Sequence, residues 1–426
     1  MPTTVFEPIQ SPACGCDDLP EVKELVPVAV ALQAALEIAP APKVRETLPL
    51  GQARGRVLAE PVIAQADMPG FDNSGMDGYA VNTADLAGTG LADLPVKGIS
   101  QAGMAPPPLE PGTVMRIYTG APIPEAADAV IMQEEVTVDG DRATLARVSE
   151  PGEHIRRRGE DQQMGSELIP AGRLLDPRTV AACAGAGAGQ VTVWQKLRIG
   201  MILTGDELIP AGEPLDGGKI WDVNAPMLTA QIECGWADVV QVIHVEDTLE
   251  AHRATLDTLA KEVDLIITSG GVSVGDRDHV KPALAALGAE TRISGVAIKP
   301  GKPITLSVLR GVPVASLPGN PVSAFVTWHV FGAPMAARMA GLDSNGPARR
   351  TVRCGRRLKH KTGRCEYRPG YITGYGADGI EIAAAGAHTH SAQLAPLAEA
   401  HGLILVPGDT EALEAGDLAE FLPFDT

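Results

Sequence analysis

Between residues 191 and 342 short apolar runs alternate with helical patterns, and this alternation restricts the possible folds more than any other feature of the chain. The runs LRIGMILTG, DVVQVIHV, VDLIITSGG and PVASLPGN are interleaved with PMLTAQIEC and LEAHRATLDTLAKE. Parallel neighbours in a sheet need long crossovers, and helices supply them while covering the faces, so the pattern predicts a mostly parallel, helix-covered sheet. Ligands of such sheets bind beyond the carboxyl ends of the strands. The segments TGDE, TSGG and LPGN fall at those ends.

The flanking regions differ in texture. Residues 1–26 mix Pro, Cys, Gly and acidic residues without a sustained period, which predicts a poorly ordered leader. From Val28 the residues Val28, Leu32, Ala35 and Leu36 recur at helical spacing until Pro40 and Pro42. Residues 47–150 carry runs such as VMRIYTG and DAVIMQEEV between Pro, Gly and Asp, a pattern of strands and turns. A charged loop, GEHIRRRGED, then leads to VAACAGAGAGQVTV. That Gly/Ala run has no clear strand before it and no placed acidic partner, so close helix packing is the better reading than a dinucleotide fingerprint. Residues 343–426, with YITGYG, GIEIAAAG and GLILVPG, predict a small all-β module.

A length of 426 residues exceeds what one hydrophobic core usually organises, so several domains are expected. The apolar stretches are broken well before the roughly 20 residues of a membrane span. The N-terminus lacks the basic and apolar regions of a secretory signal. A cytoplasmic protein without membrane attachment is expected. Its 53 acidic against 35 basic side chains give a net charge of −18, a field that repels nucleic acid. An anionic ligand would need local cations, backbone N–H groups or metal ions set against that field. The six cysteines, at 14, 16, 183, 234, 354 and 365, show no zinc spacing, and reduced thiols fit best. Cys14-x-Cys16 reads as part of a mobile tail, with metal capture as the alternative.

Five segments carry candidate chemistry. Phe71 to Ala80, FDNSGMDGYA, is too polar for a core strand and too rich in Asp, Asn and Gly for a helix, so it is either a ligand-facing loop or an ordinary Asx turn. Thr204-Gly205-Asp206-Glu207 ends a strand in two carboxylates, with Asp222 and Asn224 following in KIWDVNAP; these hold Mg²⁺, act as bases toward an activated phosphate, or cap the next helix. Ser269-Gly270-Gly271-Val272-Ser273-Val274-Gly275 follows the strand VDLIIT and precedes Asp276, Asp278 and Lys281. Its small residues let backbone N–H groups approach phosphate oxygens, or form a generic turn, and no GK[ST] makes it a Walker loop. Lys299-Pro300-Gly301-Lys302-Pro303 sets two cations on a proline-braced segment suited to an oxyanion such as phosphate, unless they are a solvated face. Pro318-Gly319-Asn320-Pro321 is a rigid turn able to line the same crevice, while Arg156-Arg157-Arg158 is more simply a solvated run than an anion site.

Taken in order, FDNSGMDGYAV, YTGAPIPEAADAVIMQEE, RGEDQQMG, TGDEL, IWDVNAPML, TSGGVSVGDRDHVK, AIKPGKP and LPGNPVSA closely resemble the signature segments of the MoeA/gephyrin E-domain family, over residues 28–426. The resemblance implies a multidomain α/β plus β fold. Its parts are a helical linking region (27–63 and 151–190), a β-rich lobe (64–150), an α/β domain like the molybdopterin adenylyltransferases (191–342) and a C-terminal β-barrel (343–426). The implied activity is molybdopterin molybdenumtransferase: molybdate is inserted into adenylylated molybdopterin while the pyrophosphate bond is hydrolysed with Mg²⁺ or another divalent cation, releasing AMP. Asp77, Thr119 and Asp161 match family residues on the lobe and linker; Glu207, Asp247, Asp278, Lys299 and Lys302 match those of the α/β domain. Glu207, Asp276 and Asp278 are the implied metal carboxylates, and Ser391 matches a C-terminal Ser. A homodimer with a cleft shared between subunits is implied, as is handover to and from other cofactor-synthesis proteins. Gly75 stands where the family more often has Ala, and Asp276 where Glu is common. The rival expectations are a receptor-clustering scaffold of gephyrin type and a molybdopterin adenylyltransferase.

Overall fold

The computed structural model describes residues 25–86, 92–271, 278–344, 346–386 and 391–424. These form two compact units, one from the described parts of 1–46, 55–57 and 193–426, the other from 47–54 and 58–192. In chain order, the first helix is α1 (Val28–Glu37), which belongs to the larger unit. No helix of the described residues is long and apolar enough to cross a membrane.

The smaller unit is built on a six-stranded sheet: β1 (Gly78–Val81), β2 (Asp93–Ser100), β3 (Val114–Ile117), β4 (Ala129–Met132), β5 (Val136–Asp139) and β6 (Arg142–Leu145), in the order β4-β1-β3-β2-β6-β5. Residues of β1 alternate between its two faces. Tyr79 and Val81 join Val114, Ile131 and Leu145 on one, while Ala80 joins Met115, Ile117 and Val130 on the other. One longer helix, α2 (Pro177–Gly185), has Pro177 at its first position and Asp176 as N-cap, its carboxylate accepting the Thr179 N–H at 2.8 Å. The Gly/Ala run works as the sequence suggested: a Cβ on Gly185 would lie 2.4 Å from Met68 Cε, so glycine permits close packing there. The segments 27–63 and 151–190 contain α1 and α2 and otherwise short strands, 3-10 turns and loops among the described residues, because Pro and Gly recur too often for longer helices.

The larger unit contains the strand–helix alternation. β7 (Leu197–Thr204), α3 (Asn224–Ile232), β8 (Ala237–Val245), α4 (Leu249–Glu262), β9 (Leu265–Ser269), α5 (Val280–Ala286), β10 (Glu290–Ser294), β11 (Thr305–Leu309), β12 (Val312–Leu317), α6 (Pro321–Thr327) and α7 (Ala333–Met339) follow one another. The strand order is β8-β7-β9-β12-β11-β10. The first four strands are parallel, and β11 and β10 add an antiparallel edge. Ile199, Met201 and Leu203 of β7 face a core that includes α1, α3, α6 and α7 residues, whereas Ile202 faces the core of α4 and α5. Burial on both faces explains why these strands are continuous apolar runs rather than alternating ones. Each fully buried Leu or Ile contributes about 1.5–3 kcal/mol.

The chain then forms β13 (Arg350–Cys354), β14 (Cys365–Tyr375), β15 (Glu381–Ala385), β16 (Gly402–Val406) and β17 (Leu418–Pro423). Their order β14-β15-β13-β17-β16 closes through a β14–β16 pairing, giving a five-stranded barrel without a free edge between those strands. Cys183, Cys234 and Cys354 are free thiols. Cys365 is disulfide-bonded, which corrects the expectation of reduced cysteines throughout, since spacing along a chain does not report which sulfurs meet in space. Cys14 and Cys16 lie outside the described residues.

The pairing of β1 with β4 leaves no room for a side chain at Gly78, where a Cβ would sit 1.9 Å from the Ile131 carbonyl oxygen. Gly78→Ala should therefore cost about 1–3 kcal/mol or more, as overpacking does. An unchanged chemical-denaturation midpoint would contradict the observed strand spacing.

Candidate functional site

Three neighbouring parallel strands, β7, β9 and β12, end at Thr204, Ser269 and Leu317, and the loops that follow are tied together by side chains distant in sequence. Asn224 holds the centre. Its Nδ2 donates to Ser269 Oγ at 2.9 Å and to the Gly319 carbonyl at 2.6 Å. Ser269 Oγ in turn donates to the Pro318 carbonyl at 3.5 Å. Asn224 is positioned from below by Asp222, a buried carboxylate that accepts the N–H groups of Asn224 at 2.9 Å and Ala225 at 3.1 Å. Asn224 Oδ1 is buried without a hydrogen-bond partner among the described residues.

Close approach around this centre requires glycine. Gly270 and Gly271 have φ of +93° and +65°, and a Cβ on Gly270 would lie 2.8 Å from the Thr204 carbonyl oxygen. Thr204 Oγ1 donates to Asp247 Oδ1 at 3.2 Å. On the far side, Asn320 Nδ2 donates to Ser391 Oγ at 3.1 Å, and the Val322 N–H reaches the Ser391 carbonyl at 3.1 Å. The sequence-predicted residues Thr204, Asp222, Asn224, Asp247, Ser269, Gly270, Gly271, Pro318, Gly319, Asn320 and Ser391 are thus gathered by direct contacts. Ser273, Gly275 and Asp276 lie outside the described residues.

The carboxylates at the rim fall into two groups. Asp206 and Glu207 are exposed on a loop held to its neighbour by the Ile220 N–H on the Glu207 carbonyl at 2.8 Å and by Lys219 Nζ on the Asp206 carbonyl. Asp278 is mostly buried, its Oδ1 has no hydrogen-bond partner among the described residues, and Lys281 Nζ stands 3.8 Å from Oδ2. Burial pushes the Asp278 carboxyl above its ordinary value against the pull of Lys281. Among the described residues no three His, Cys, Asp or Glu side chains form a group able to hold a metal ion. A Mg²⁺ bound by one or two carboxylates plus substrate phosphates and water needs no such cage, and the orphaned Asp278 oxygen fits that mode.

The two clamp lysines differ. Lys302 is exposed, without an ion-pair partner among the described residues, while its carbonyl accepts the Val296 N–H at 2.9 Å. Lys299 Nζ lies 3.1 Å from Oε1 of Glu366, a fully buried barrel residue that the sequence did not single out. His252 was also missed: it is fully buried, Nδ1 lies 2.8 Å from the Thr248 carbonyl, and Nε2 has no partner. Neither carried a motif signal.

On the smaller unit, Asp77 and Thr119 form a pair. Asp77 Oδ1 accepts the Thr119 N–H at 2.7 Å and its O–H at 2.8 Å. Those donors, helped by the charge of Arg116, hold the Asp77 carboxyl below its ordinary 3.8. Arg116 itself is stacked 5.2 Å from the rings of both Tyr79 and Tyr118. The FDNSGMDGYA segment is only partly the loop expected of it: Asn73–Ser74 is a short strand and Gly78–Ala80 belong to the buried strand β1, because alternate residues there face the two cores of the sheet. Ser74 Oγ donates to the Met76 carbonyl at 2.6 Å, and a Cβ on Gly75 would meet the His154 carbonyl at 3.2 Å, so an alanine there asks for a small shift. Asp161 is exposed, its N–H on the Met68 carbonyl at 3.0 Å. Within the arginine run, Arg157 Nη1 pairs with Asp72 at 2.6 Å and Arg158 Nε with Asp67 at 2.6 Å; these two brace loops, and Arg156 is exposed.

The parallel, helix-covered sheet and the closed barrel together define a multidomain α/β plus β protein. Residues 26–187 match the MoeA N-terminal region (domain I and II), 200–338 a probable molybdopterin binding domain, and 351–424 the MoeA C-terminal region (domain IV). The molybdopterin molybdenumtransferase of Haemophilus influenzae is 34% identical over 92% of this chain and 96% of its own, and that of Nostoc sp. is 36% identical over 86% of each. The crystal structure of the molybdopterin biosynthesis moeA protein from Pyrococcus horikoshii OT3 superimposes with a TM-score of 0.80 at 28% identity, covering 94% of this chain and all of that one. The chain belongs to the MoeA family of molybdopterin molybdenumtransferases.

A carboxyl whose folded value is depressed stabilises the fold above its ordinary value and loses that contribution as pH falls through the depressed value. Asp77 should follow this course below its ordinary 3.8. Thr119→Val removes the O–H donor and keeps the N–H, so the Asp77 titration midpoint should rise toward 3.8, as carboxyl-carbon NMR would show. An unmoved midpoint would contradict the pairing.

Proposed function

We propose that this chain completes the molybdenum cofactor, inserting molybdate into adenylylated molybdopterin as the named relatives imply. The observation that carries the reading is the cluster around Asn224, where the loops after neighbouring parallel strands are tied together beside paired glycines. The Gly270-Gly271 turn offers backbone close to a phosphorylated ligand because a side chain there would collide with Thr204. Asn320 and Ser391 bind the opposite wall together. Lys302 supplies a cation free to meet an oxyanion in a chain whose overall charge is −18. Asp77, kept ionised by Thr119, serves as a fixed acceptor or base on the smaller unit.

Asp278 and Glu207 are the residues that would hold a divalent cation, here Mg²⁺. Bound there, it would neutralise phosphate charge as the pyrophosphate bond is hydrolysed and AMP departs. In this reading the enzyme is a cytoplasmic homodimer with a cleft shared between subunits, receiving its substrate from, and passing its product to, other cofactor-synthesis proteins.

The test supplies adenylylated molybdopterin, Mg²⁺ and molybdate, then follows AMP release and activation of an apo-molybdoenzyme. Both should occur; absence of both contradicts the reading. Consumption of ATP with molybdopterin would instead favour an adenylyltransferase. Loss of a direct charge-assisted contact costs roughly 1.5–3 kcal/mol, so Lys302→Ala should weaken an anionic substrate's apparent affinity about ten- to a hundredfold with the melting temperature kept. An unchanged substrate requirement would remove Lys302 from the site.

A further inference from the structure

Glu366 lies on β14 of the barrel and Lys299 in the clamp, yet they are register partners: the short strand Ile298–Lys299 pairs in parallel with Cys365 and Glu366. The Cys365 N–H donates to the Ala297 carbonyl at 2.9 Å, fixing the clamp backbone on that side. On the other side Gly301, at φ +116°, packs so closely on α6 that a Cβ would lie 2.4 Å from Thr327 Cγ2. The Lys299 backbone is therefore held from both directions, and only its side chain is left to be placed.

The Glu366 carboxylate is fully buried and its two oxygens are divided. Oε2 accepts from Arg368 Nη2 at 3.0 Å, with His360 Nε2 at 3.8 Å, while Oε1 faces Lys299 Nζ at 3.1 Å. Arg368 alone would satisfy the charge balance of a buried carboxylate. Lys299, 34% exposed, is the one member of this cluster that reaches solvent. Two cations to one carboxylate leave the cluster net positive. An ammonium carries three N–H donors, so the single contact to Oε1 leaves others to turn to an anion from solvent. A lysine already confined to one place loses less side-chain entropy when it engages a ligand.

We propose that Glu366 is a positioning residue for the reaction: from inside the barrel it holds the Lys299 ammonium in place to meet an anionic substrate, molybdate or the phosphate of the pterin nucleotide. This rests on the function proposed above. It gives the C-terminal barrel a part in substrate binding through a residue that never touches the substrate.

The experiment is a double-mutant cycle read in KM and kcat, with molybdate and adenylylated molybdopterin each varied in turn. Glu366→Gln should raise at least one of the two KM values about tenfold with kcat little changed, Lys299→Ala should raise the same KM, and the pair together should do no more than Lys299→Ala alone. Glu366→Asp keeps a buried carboxylate between Arg368 and Lys299 but draws it back from both, so it should fold where the amide variant fails and raise the same KM by a smaller factor. Unchanged KM values in folded variants, or a Glu366→Gln effect that persists in the Lys299→Ala background, would overturn the proposal. So would a lowered KM, which would make Glu366 a competitor for Lys299. Nitrogen NMR of the Lys299 ammonium reads the contact without turnover: its signal should be ordered in the wild type and broadened in Glu366→Asp. An inactive wild type with that difference intact sinks the functional reading alone; no difference sinks the positioning role.

Discussion

The hydrogen bonds from one side-chain amide, Asn224 to Ser269 and to the Gly319 carbonyl, are what turn three strand ends into a site. Parallel strands place their carboxyl-end loops side by side but do not fix the distances between them. Here a single buried Asn on the helix after β7 reaches the ends of β9 and β12 at once. Each bond contributes modestly, about 0.5–1.5 kcal/mol net, yet leaving its buried partners unmet would cost about 1–3 kcal/mol apiece. The glycines follow from that constraint. Once the loops are drawn this close, Gly270 cannot carry a side chain without meeting Thr204.

Charge is managed by the same locality. The chain is strongly acidic, and most of its cations near candidate sites are already committed: Arg157 and Arg158 brace loops through Asp72 and Asp67, and Lys299 faces Glu366. Lys302 is exposed and uncommitted among the described residues. In Glu366 burial raises the carboxyl's titration, but Arg368 and Lys299 outweigh it and hold it below its ordinary value, so the carboxylate stays charged inside the barrel. A buried charge of this kind costs stability unless paired, and its pairing here ties Arg368 and Lys299 to one carboxylate.

Much of this was legible in the sequence where chemistry and periodicity coincide. The runs LRIGMILTG, VDLIITSGG and PVASLPGN predicted strands, which the structure places at 197–204, 265–269 and 312–317, and the polar loops after Thr204, Ser269 and Leu317 lie where a parallel sheet places its ligands. The helix LEAHRATLDTLAKE was found whole, because its apolar spacing and its Thr248 cap agree. Other features were not legible. Glu366 sits in GRCEYRPG, a segment with no catalytic pattern, and its importance depends on a register that brings it beside Lys299. Residues 55–57 belong with the larger unit although their neighbours on both sides do not, and no composition change marks that crossing. The arginine run offered a solvated face or an anion site; aspartates 85 to 91 residues away in the chain gave a third answer.

The function proposed above puts the nucleotide part of the substrate at the loops tied together by Asn224. Calorimetric titration of AMP with Mg²⁺ into the wild type and into Asn224→Ala tests it most directly, with the melting temperature measured alongside. Binding to the wild type should saturate, with an affinity lower by about tenfold or more in a folded Asn224→Ala chain, the effect of releasing the loops from one another. Equal affinity in the two folded proteins would place the nucleotide elsewhere and contradict a site at these loops.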